Sequence, residues 1–183
     1  MPRSQIPEPW KSFLMDLDVR VDQLIEFHCV GGFVVTILYG LERPTSDVDV
    51  IVITPNDEIE HLIELAGKGS ELHRKHKVYL DSVTVATYPE DYDLRLTEMF
   101  PSTFRNLRLF ALDPYDIALS KLDRNIQRDR DDVKYLAKTV PFDLRLLQER
   151  YENELRLYLG VPERGDGTMR FWLDMIQEDR SSR

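Results

Sequence analysis

Two aspartates at the start of an apolar stretch are the residues best suited to chemistry. Asp47 and Asp49 belong to SDVDVIVI, residues 46–53, whose other members are a serine and five valines or isoleucines. Side chains two residues apart on a strand point to the same side, where each carboxylate raises the free-energy cost of ionising the other. A bound cation would offset that cost, so the pair predicts a metal site.

A pair of glycines lies upstream of the aspartates. Gly31 and Gly32 follow an apolar stretch and precede a segment that reads as a helix. Glycine lets a phosphate approach the backbone closely, and the first N–H groups of a helix attract an anion. Carboxylate oxygens suit Mg²⁺, which takes its other ligands from substrate phosphates and water. Glycines and aspartates together predict a site for Mg²⁺ and a nucleotide.

Alternating strands and helices must position these residues. Apolar patterning and turn residues predict strands at 27–30, 47–54, 77–87 and 108–112, and helices at 16–26, 33–41, 55–66 and 89–99. The stretch 47–54 is apolar on both faces, which is typical of a central strand covered on both sides. The stretch 71–77, ELHRKHK, reads as an exposed polar loop.

The remainder of the chain is predicted to be helical. Asp113 and Pro114 form a helix start, with aspartate as N-cap and proline in the first turn. That helix is expected to reach about residue 126, and further helices are predicted at 129–138, 143–159 and 168–176. The order predicts a core over residues 1–112 and a helical C-terminal part, 113–183, packed on it.

Composition narrows the class of protein. The 183 residues are 42% apolar and 31% charged, which fits one folded domain or a domain with a helical appendage. The net charge of −9 disfavours non-specific binding to nucleic acid or to an anionic membrane. The chain has no apolar run of the roughly 20 residues that a membrane span needs, no signal-peptide pattern and a single cysteine, so we expect a cytoplasmic protein.

Two motifs together resemble a known superfamily. The first is Gly31-Gly32, a helix, and RPTSDVD over residues 43–49; the second is ALDPYDIALSKLDRNIQRDRDDVKYLA over residues 111–137. The pattern resembles the nucleotidyltransferase superfamily, whose members look like the catalytic part of DNA polymerase beta. More narrowly, it is similar to minimal bacterial nucleotidyltransferase-like proteins related to the toxins of abortive-infection toxin–antitoxin pairs.

The resemblance implies a fold and a set of site residues. The fold would be an α/β (α+β) nucleotidyltransferase fold, with a mixed central sheet flanked by helices and a helical C-terminal part. The implied metal ligands are Asp47, Asp49 and, as the third carboxylate on a neighbouring strand, Asp81. The implied nucleotide contacts are Gly31, Gly32, Arg43, Thr45 and Ser46. Lys121 would hold phosphates, and Asp129 would complete the polar site.

The implied function is Mg²⁺-dependent transfer of a nucleoside monophosphate from a nucleoside triphosphate such as ATP to an acceptor hydroxyl. The acceptor could be a tRNA end, a protein hydroxyl or a small molecule, and a toxin would have an antitoxin protein as partner. The alternative is a catalytically silent domain that binds a nucleotide or a partner protein. Gly32 stands where many members have serine, and Arg128-Asp129-Arg130 replaces the usual lysine before the aspartate.

Each site residue also has a purely structural interpretation. Asp47 and Asp49 could cap a loop or pair with Arg43, and Asp81 could be structural. Lys121 and Arg124 are one helical turn apart and could form a solvated face that pairs with Asp116 or Asp123. Asp129 could simply start a helix, where negative charge is favourable.

Overall fold

The computed structural model describes residues 5–52, 56–83 and 87–182, without the side chains of residues 52, 56 and 57. The chain divides into two compact units. The first comprises Met1–Thr84 and Leu96–Leu112, and the second comprises Val85–Arg95 and Asp113–Arg183. The predicted division after residue 112, with the later residues packed on the core, stays a prediction.

The first unit is built on a five-stranded mixed sheet. Its strands are β1 (Ile25–Cys29), β2 (Asp47–Val52), β3 (Tyr79–Ser82), β4 (Thr97–Met99) and β5 (Leu107–Ala111), in the order β3-β2-β1-β5-β4. Its helices are α1 (Trp10–Asp18), α2 (Gly31–Ile37), α3 (Asn56–Ala66) and α4 (Glu71–His76). β1 pairs with β2 antiparallel and with β5 parallel, β2 pairs with β3 parallel, and β4 pairs with β5 antiparallel. The α+β class with a mixed sheet is therefore confirmed.

Burial explains why β1 and β2 occupy the inner part of the sheet. Phe27 and Cys29 of β1 and Val48 and Val50 of β2 have no exposed surface. In each strand these two residues lie on one face. The other face of β1 is also buried at His28, whereas the other face of β2, with Asp47, Asp49 and Ile51, is only half-buried, so the prediction that β2 is covered on both sides is wrong for the face that carries the aspartates. The strand predicted at 47–54 is present as β2, and residues 53 and 54 lie outside the described residues. Of the strand predicted at 77–87, Tyr79–Ser82 forms β3. Residues 77, 78, 83 and 87 are not in a strand, and residues 84–86 lie outside the described residues.

The helix predicted at 16–26 is wrong. Helix α1 begins at Trp10 and ends at Asp18, and Ile25 already belongs to β1. Leu17, Val21 and Ile25 are buried at a helical spacing, but they come from a helix, a turn and a strand in succession. Buried residues from three successive segments of the chain therefore have the same spacing as the apolar face of one amphipathic helix.

Two further predictions of secondary structure are wrong. The stretch 89–99 was predicted as a helix, but it contains a 3₁₀ turn, Tyr92–Arg95, followed by strand β4. Pairing of β4 with β5 overrides the weak helical pattern. The predicted loop 71–77 is mostly helix α4, which Ser70 caps by accepting a hydrogen bond from the His73 amide.

The second unit is helical in its C-terminal part, as predicted. It contains α5 (Pro114–Leu119), α6 (Gln127–Thr139), α7 (Leu144–Arg150), a π-helical turn Tyr151–Leu155, a 3₁₀ turn Arg156–Tyr158 and α8 (Pro162–Ser181). Asp113 caps α5 by accepting from the Tyr115 amide at 2.8 Å, but the helix ends at Leu119 instead of residue 126. Within the described residues, no helix combines the length and apolarity that a membrane crossing requires.

Candidate metal and nucleotide site

Three aspartates predicted from the sequence converge on one edge region of the first unit. Asp47 and Asp49 lie on β2, and Asp81 lies directly beside Asp49 in the parallel register of β2 and β3. One carboxylate oxygen from each of the three lies within 4.8 Å of the others. Asp47 and Asp49 are half-buried and Asp81 is exposed, so the cluster opens to solvent on the side of β3.

The donor set fits a hard divalent cation. Three carboxylates held this close repel one another, and the repulsion raises the free energy of the fully ionised cluster. A cation between them relieves that repulsion, and carboxylate oxygens are the ligands that Mg²⁺ uses in proteins. By ligand type, Asp47, Asp49 and Asp81 could therefore hold Mg²⁺.

Gly31 is required by the position of Asp49. A Cβ atom at Gly31 would overlap the Oδ2 atom of Asp49 and would lie 2.9 Å from its carboxyl carbon. The backbone at Gly31 also has φ = +66°, a left-handed conformation that favours glycine. The glycine thus leaves room for one of the three carboxylates, a role that the sequence pattern alone does not reveal.

The turn at Gly31 is fastened to the strand that carries the aspartates. The Val30 amide donates to the Asp49 carbonyl oxygen at 3.0 Å. Helix α2 starts at Gly31, and within the described structure no side chain caps its first turn. Its first N–H groups are therefore not satisfied by a side-chain cap. The predicted phosphate contacts of Gly31 and of the buried Gly32 stay predictions.

The loop before β2 contributes a hydrogen bond to the cluster. The buried Thr45 hydroxyl donates to the Oδ1 atom of Asp47 at 2.5 Å. Thr45 therefore orients a carboxylate. Arg43 is half-buried and Ser46 is exposed. The phosphate contacts predicted for Arg43, Thr45 and Ser46 stay predictions.

A tyrosine beside the aspartates was not predicted as a site residue. Tyr79 on β3 pairs in register with Asp47 and lies two residues before Asp81. Partial burial raises the pKa of Tyr79, and the negative charges of the three aspartates raise it further. The strand period, which places residues 79 and 81 on one face, was the available signal.

Lys121 and Asp129 belong to a buried cluster in the second unit. The Lys121 side chain is 5% exposed, and its ammonium contacts Asp132 at 2.9 Å and Asp129 at 3.7 Å. Neither aspartate side chain is exposed. Asp132 was missed as a partner, although residues 129 and 132 are one helical turn apart. The predicted phosphate-binding role of Lys121 and the predicted site role of Asp129 stay predictions.

Arg124 completes the buried cluster from its solvent side. Its guanidinium donates to both carboxylate oxygens of Asp129, at 2.9 and 2.6 Å. Burial alone would raise the pKa of Asp129, but hydrogen bonding from Arg124 and the charge of Lys121 outweigh it and lower that pKa. The structural alternative had paired Lys121 and Arg124 with Asp116 or Asp123, whereas Asp116 instead binds Arg95.

A comparison with models of protein families identifies the family of this chain. Residues 12–177 match the model of a family described as "nucleotidyltransferase of unknown function (DUF6036)". The chain belongs to this nucleotidyltransferase family. No curated protein and no solved structure matches the chain.

Membership of the family confirms the resemblance to nucleotidyltransferases that the two motifs carry. The match spans the whole aspartate cluster in the first unit and the Lys121 cluster in the second. The family description names no substrate, and the narrower similarity to toxins of toxin–antitoxin pairs stays a prediction.

Proposed function

We propose that the protein is a Mg²⁺-dependent nucleotidyltransferase that transfers a nucleoside monophosphate from a nucleoside triphosphate to an acceptor hydroxyl. The observation that carries the proposal is the cluster of Asp47, Asp49 and Asp81, whose ligand atoms lie within 4.8 Å of one another. The fit of Gly31 against Asp49 supports it, because a close-packed backbone fixes one of these carboxylates in place.

Asp47, Asp49 and Asp81 would hold Mg²⁺, which when bound neutralises phosphate charge and lowers the pKa of the attacking hydroxyl. Chemistry of this class depends mainly on positioning and electrostatics. Thr45 contributes positioning, because its hydroxyl restricts the orientation of the Asp47 carboxylate. Gly31 contributes by leaving space for the Asp49 carboxylate.

Asp81 is the most exposed carboxylate of the cluster. It lies at the solvent side of the cluster, where an acceptor hydroxyl could approach it. In the proposed reaction the hydroxyl oxygen forms a bond to the α-phosphorus, and the bond from that phosphorus to pyrophosphate breaks. The hydroxyl proton passes to the Asp81 carboxylate, which acts as general base.

The test is the transfer of label from α-³²P-labelled nucleoside triphosphates, with Mg²⁺, to total RNA and to soluble cell protein. The wild-type protein is expected to label one of these acceptors. Replacing Asp47→Asn together with Asp49→Asn is expected to reduce labelling to background, because the amides carry no charge to bind the cation.

The fold of the double variant is checked by circular dichroism and by its urea midpoint. We expect no loss of stability, because the substitutions remove two like charges from a cluster that repels itself. A double variant that folds and still transfers label at the wild-type rate would contradict the proposal.

The second candidate function is nucleotide binding without transfer. Gly32 favours it, because glycine lacks the hydroxyl that serine would offer to a phosphate. Calorimetric titration of ATP with and without Mg²⁺ separates the two functions. Metal-dependent binding of ATP that is not followed by label transfer to RNA, protein or small-molecule acceptors supports a domain that binds nucleotide without transferring it.

A toxin role is the finer part of the proposal, and it rests on the similarity of the two sequence motifs to toxin-related proteins. Induced expression is then expected to arrest growth of the host, whereas expression of the Asp47→Asn, Asp49→Asn variant is not. Growth at the same rate with both proteins, at equal expression, would contradict a toxin role that depends on transfer.

A further inference from the structure

A lysine on a tightly constrained turn lies beside the aspartate cluster. The Lys68 turn, residues 67–70, connects helices α3 and α4 in the first unit. The Lys68 ammonium lies over the ring of Tyr79, 5.8 Å from its centroid. Tyr79 in turn neighbours Asp47 in the strand register and shares a strand with Asp81. Tyr79 therefore contacts Lys68 and shares a face of the sheet with the three carboxylates.

Two glycines fix the path of the Lys68 turn. A Cβ atom at Gly67 would lie 2.5 Å from the carbonyl oxygen of Ile63, so the backbone there approaches α3 too closely for a side chain. Gly69 has φ = +91°, a conformation that L-residues rarely adopt. Substitution at either position would move the backbone that carries Lys68.

Helix α4 holds the other side of the turn. The Gly69 amide donates to the Nδ1 atom of His73 at 2.9 Å, and Arg74 donates to the Gly69 carbonyl oxygen at 2.5 Å. The His73 ring also packs edge-to-face with Tyr79, with centroids 5.1 Å apart. His73 thus contacts both the turn and the tyrosine, and the backbone of the turn that carries Lys68 is held in place.

The local charge is positive although the chain is acidic. Residues 68–77 contain four lysines or arginines and one glutamate, in a chain of net charge −9. Lys75 forms an ion pair with Asp16 at 2.6 Å, whereas in the described part of the chain Lys68 forms no ion pair. Lys68 is exposed and its ammonium retains its donors for a ligand.

We propose that Lys68 forms an anion subsite that binds a phosphate group next to the aspartate cluster. The subsite rests on the proposed function, since it places a phosphate beside a Mg²⁺ site. The ammonium supplies a compact positive charge, a common phosphate ligand. The phosphate belongs either to the triphosphate of the nucleotide or to the acceptor, and both sources offer the same oxygens.

Calorimetric titrations of Lys68→Ala test the subsite. In the first arm, ATP, AMP and inorganic tripolyphosphate are titrated with Mg²⁺. If the nucleotide supplies the phosphate, Lys68→Ala weakens binding of ATP and tripolyphosphate about tenfold, which equals about 1.4 kcal/mol, and leaves AMP unchanged.

In the second arm, inorganic phosphate is titrated into protein saturated with a non-hydrolysable ATP analogue and Mg²⁺. If Lys68→Ala loses affinity only in this second arm, the phosphate that Lys68 binds belongs to the acceptor.

Two variants serve as matched controls. Lys75→Ala removes the same charge from the same segment, and we expect it to change affinity less than twofold because that ammonium is already paired. Lys68→Arg keeps the charge and is expected to restore at least half of the lost affinity. Equal losses in Lys68→Ala and Lys75→Ala would show a general field effect and overturn the subsite.

The outcomes separate this inference from the proposed function. If Lys68→Ala matches the wild type in both arms while Asp47→Asn with Asp49→Asn abolishes Mg²⁺-dependent ATP binding, only the subsite is overturned. If the wild-type protein binds neither ATP nor tripolyphosphate with Mg²⁺, both the subsite and the proposed function fall.

Discussion

Each of the two units contains a group of aspartates, and the two groups are built in opposite ways. In the first unit, Asp47, Asp49 and Asp81 are partly or fully exposed and lie within 4.8 Å of one another. In the second unit, Asp129 and Asp132 have no exposed surface, and the ammonium of Lys121 contacts both. One group is accessible from solvent, and the other is buried in contact with the ammonium of Lys121.

The difference in exposure gives a physical criterion for distinguishing a candidate ligand site from a candidate structural ion cluster. A carboxylate buried away from water is tolerated only when it is paired and hydrogen-bonded, and Lys121 and Arg124 meet that requirement for Asp129. An exposed group of carboxylates stays hydrated and can exchange water for a metal ion. Loss of charge should therefore harm binding and transfer in the first unit and the fold in the second.

Replacement of Lys121 by methionine tests the second half of this comparison most strongly. The variant would leave Asp132 buried without its 2.9 Å partner, and breaking a buried ion pair from one side costs about 3–5 kcal/mol. We expect a loss of that size in the free energy of unfolding, measured by urea denaturation monitored by circular dichroism.

Lys138→Met is the matched control in the same unit. Lys138 pairs with Asp179 at 2.7 Å, but its side chain is 40% exposed. Exposed pairs contribute about 0–1 kcal/mol, so the control should lose much less stability than Lys121→Met. Equal losses in the two variants would contradict the interpretation of the Lys121 cluster as the structural one.

The substitution Gly31→Ala tests the aspartate group of the first unit by changing the backbone position next to Asp49. A left-handed backbone costs a non-glycine residue about 1–2 kcal/mol. The added Cβ atom would also displace the Asp49 carboxylate, which it overlaps. We expect a loss of stability above that range together with weaker binding of Mg²⁺ and ATP, measured by urea denaturation and by calorimetry.

Gly69→Ala separates the two causes. Gly69 also has a positive φ, but a Cβ atom there would meet nothing within 4 Å. We expect this control to show the backbone cost and to keep its affinity for Mg²⁺, because the turn that it would shift carries Lys68 and none of the three aspartates. If Gly31→Ala binds Mg²⁺ as well as Gly69→Ala does, Asp49 is not held by its contact with Gly31.

The sequence predicts the aspartate site better than it predicts the elements around it. Val48 and Val50, which alternate with Asp47 and Asp49, are buried, so the local order of residues predicts the strand and the shared face of the two aspartates. Asp81 could be proposed only as a candidate, because its register against Asp49 depends on pairing between strands far apart in the chain. The 5.8 Å approach of Lys68 to Tyr79 depends on the path of a turn, which no periodic pattern encodes.

The Lys121 cluster shows a different limit. The helix that begins at Pro114 was expected to include Lys121, but it ends at Leu119. The sequence shows charged residues at helical spacing, which suits a solvated face equally well. Their burial is a property of the packed second unit, so local patterning could not distinguish an exposed pair from a buried one.

The substitution Arg124→Met is expected to have the smallest effect on stability. It tests the comparison of the two aspartate groups through the pH dependence of stability. Because Arg124 and Lys121 hold the pKa of Asp129 below its ordinary 3.8, the folded state favours the ionised carboxylate more than the unfolded state does. That stabilisation is fully present above pH 3.8 and is lost as the pH falls through the lower folded-state pKa.

The side chain of Arg124 is 61% exposed, so solvent screening limits its contribution to about 1 kcal/mol or less at pH 7. The stability difference between wild type and Arg124→Met, measured from urea midpoints, should therefore be small at pH 7 and should shrink further below pH 3.8. Lys121 and the Ile126 amide, which donates to Asp129 at 3.1 Å, remain in the variant. A difference that stays constant from pH 7 to pH 3 would mean that Arg124 stabilises the fold through its aliphatic part and not through the charge of Asp129.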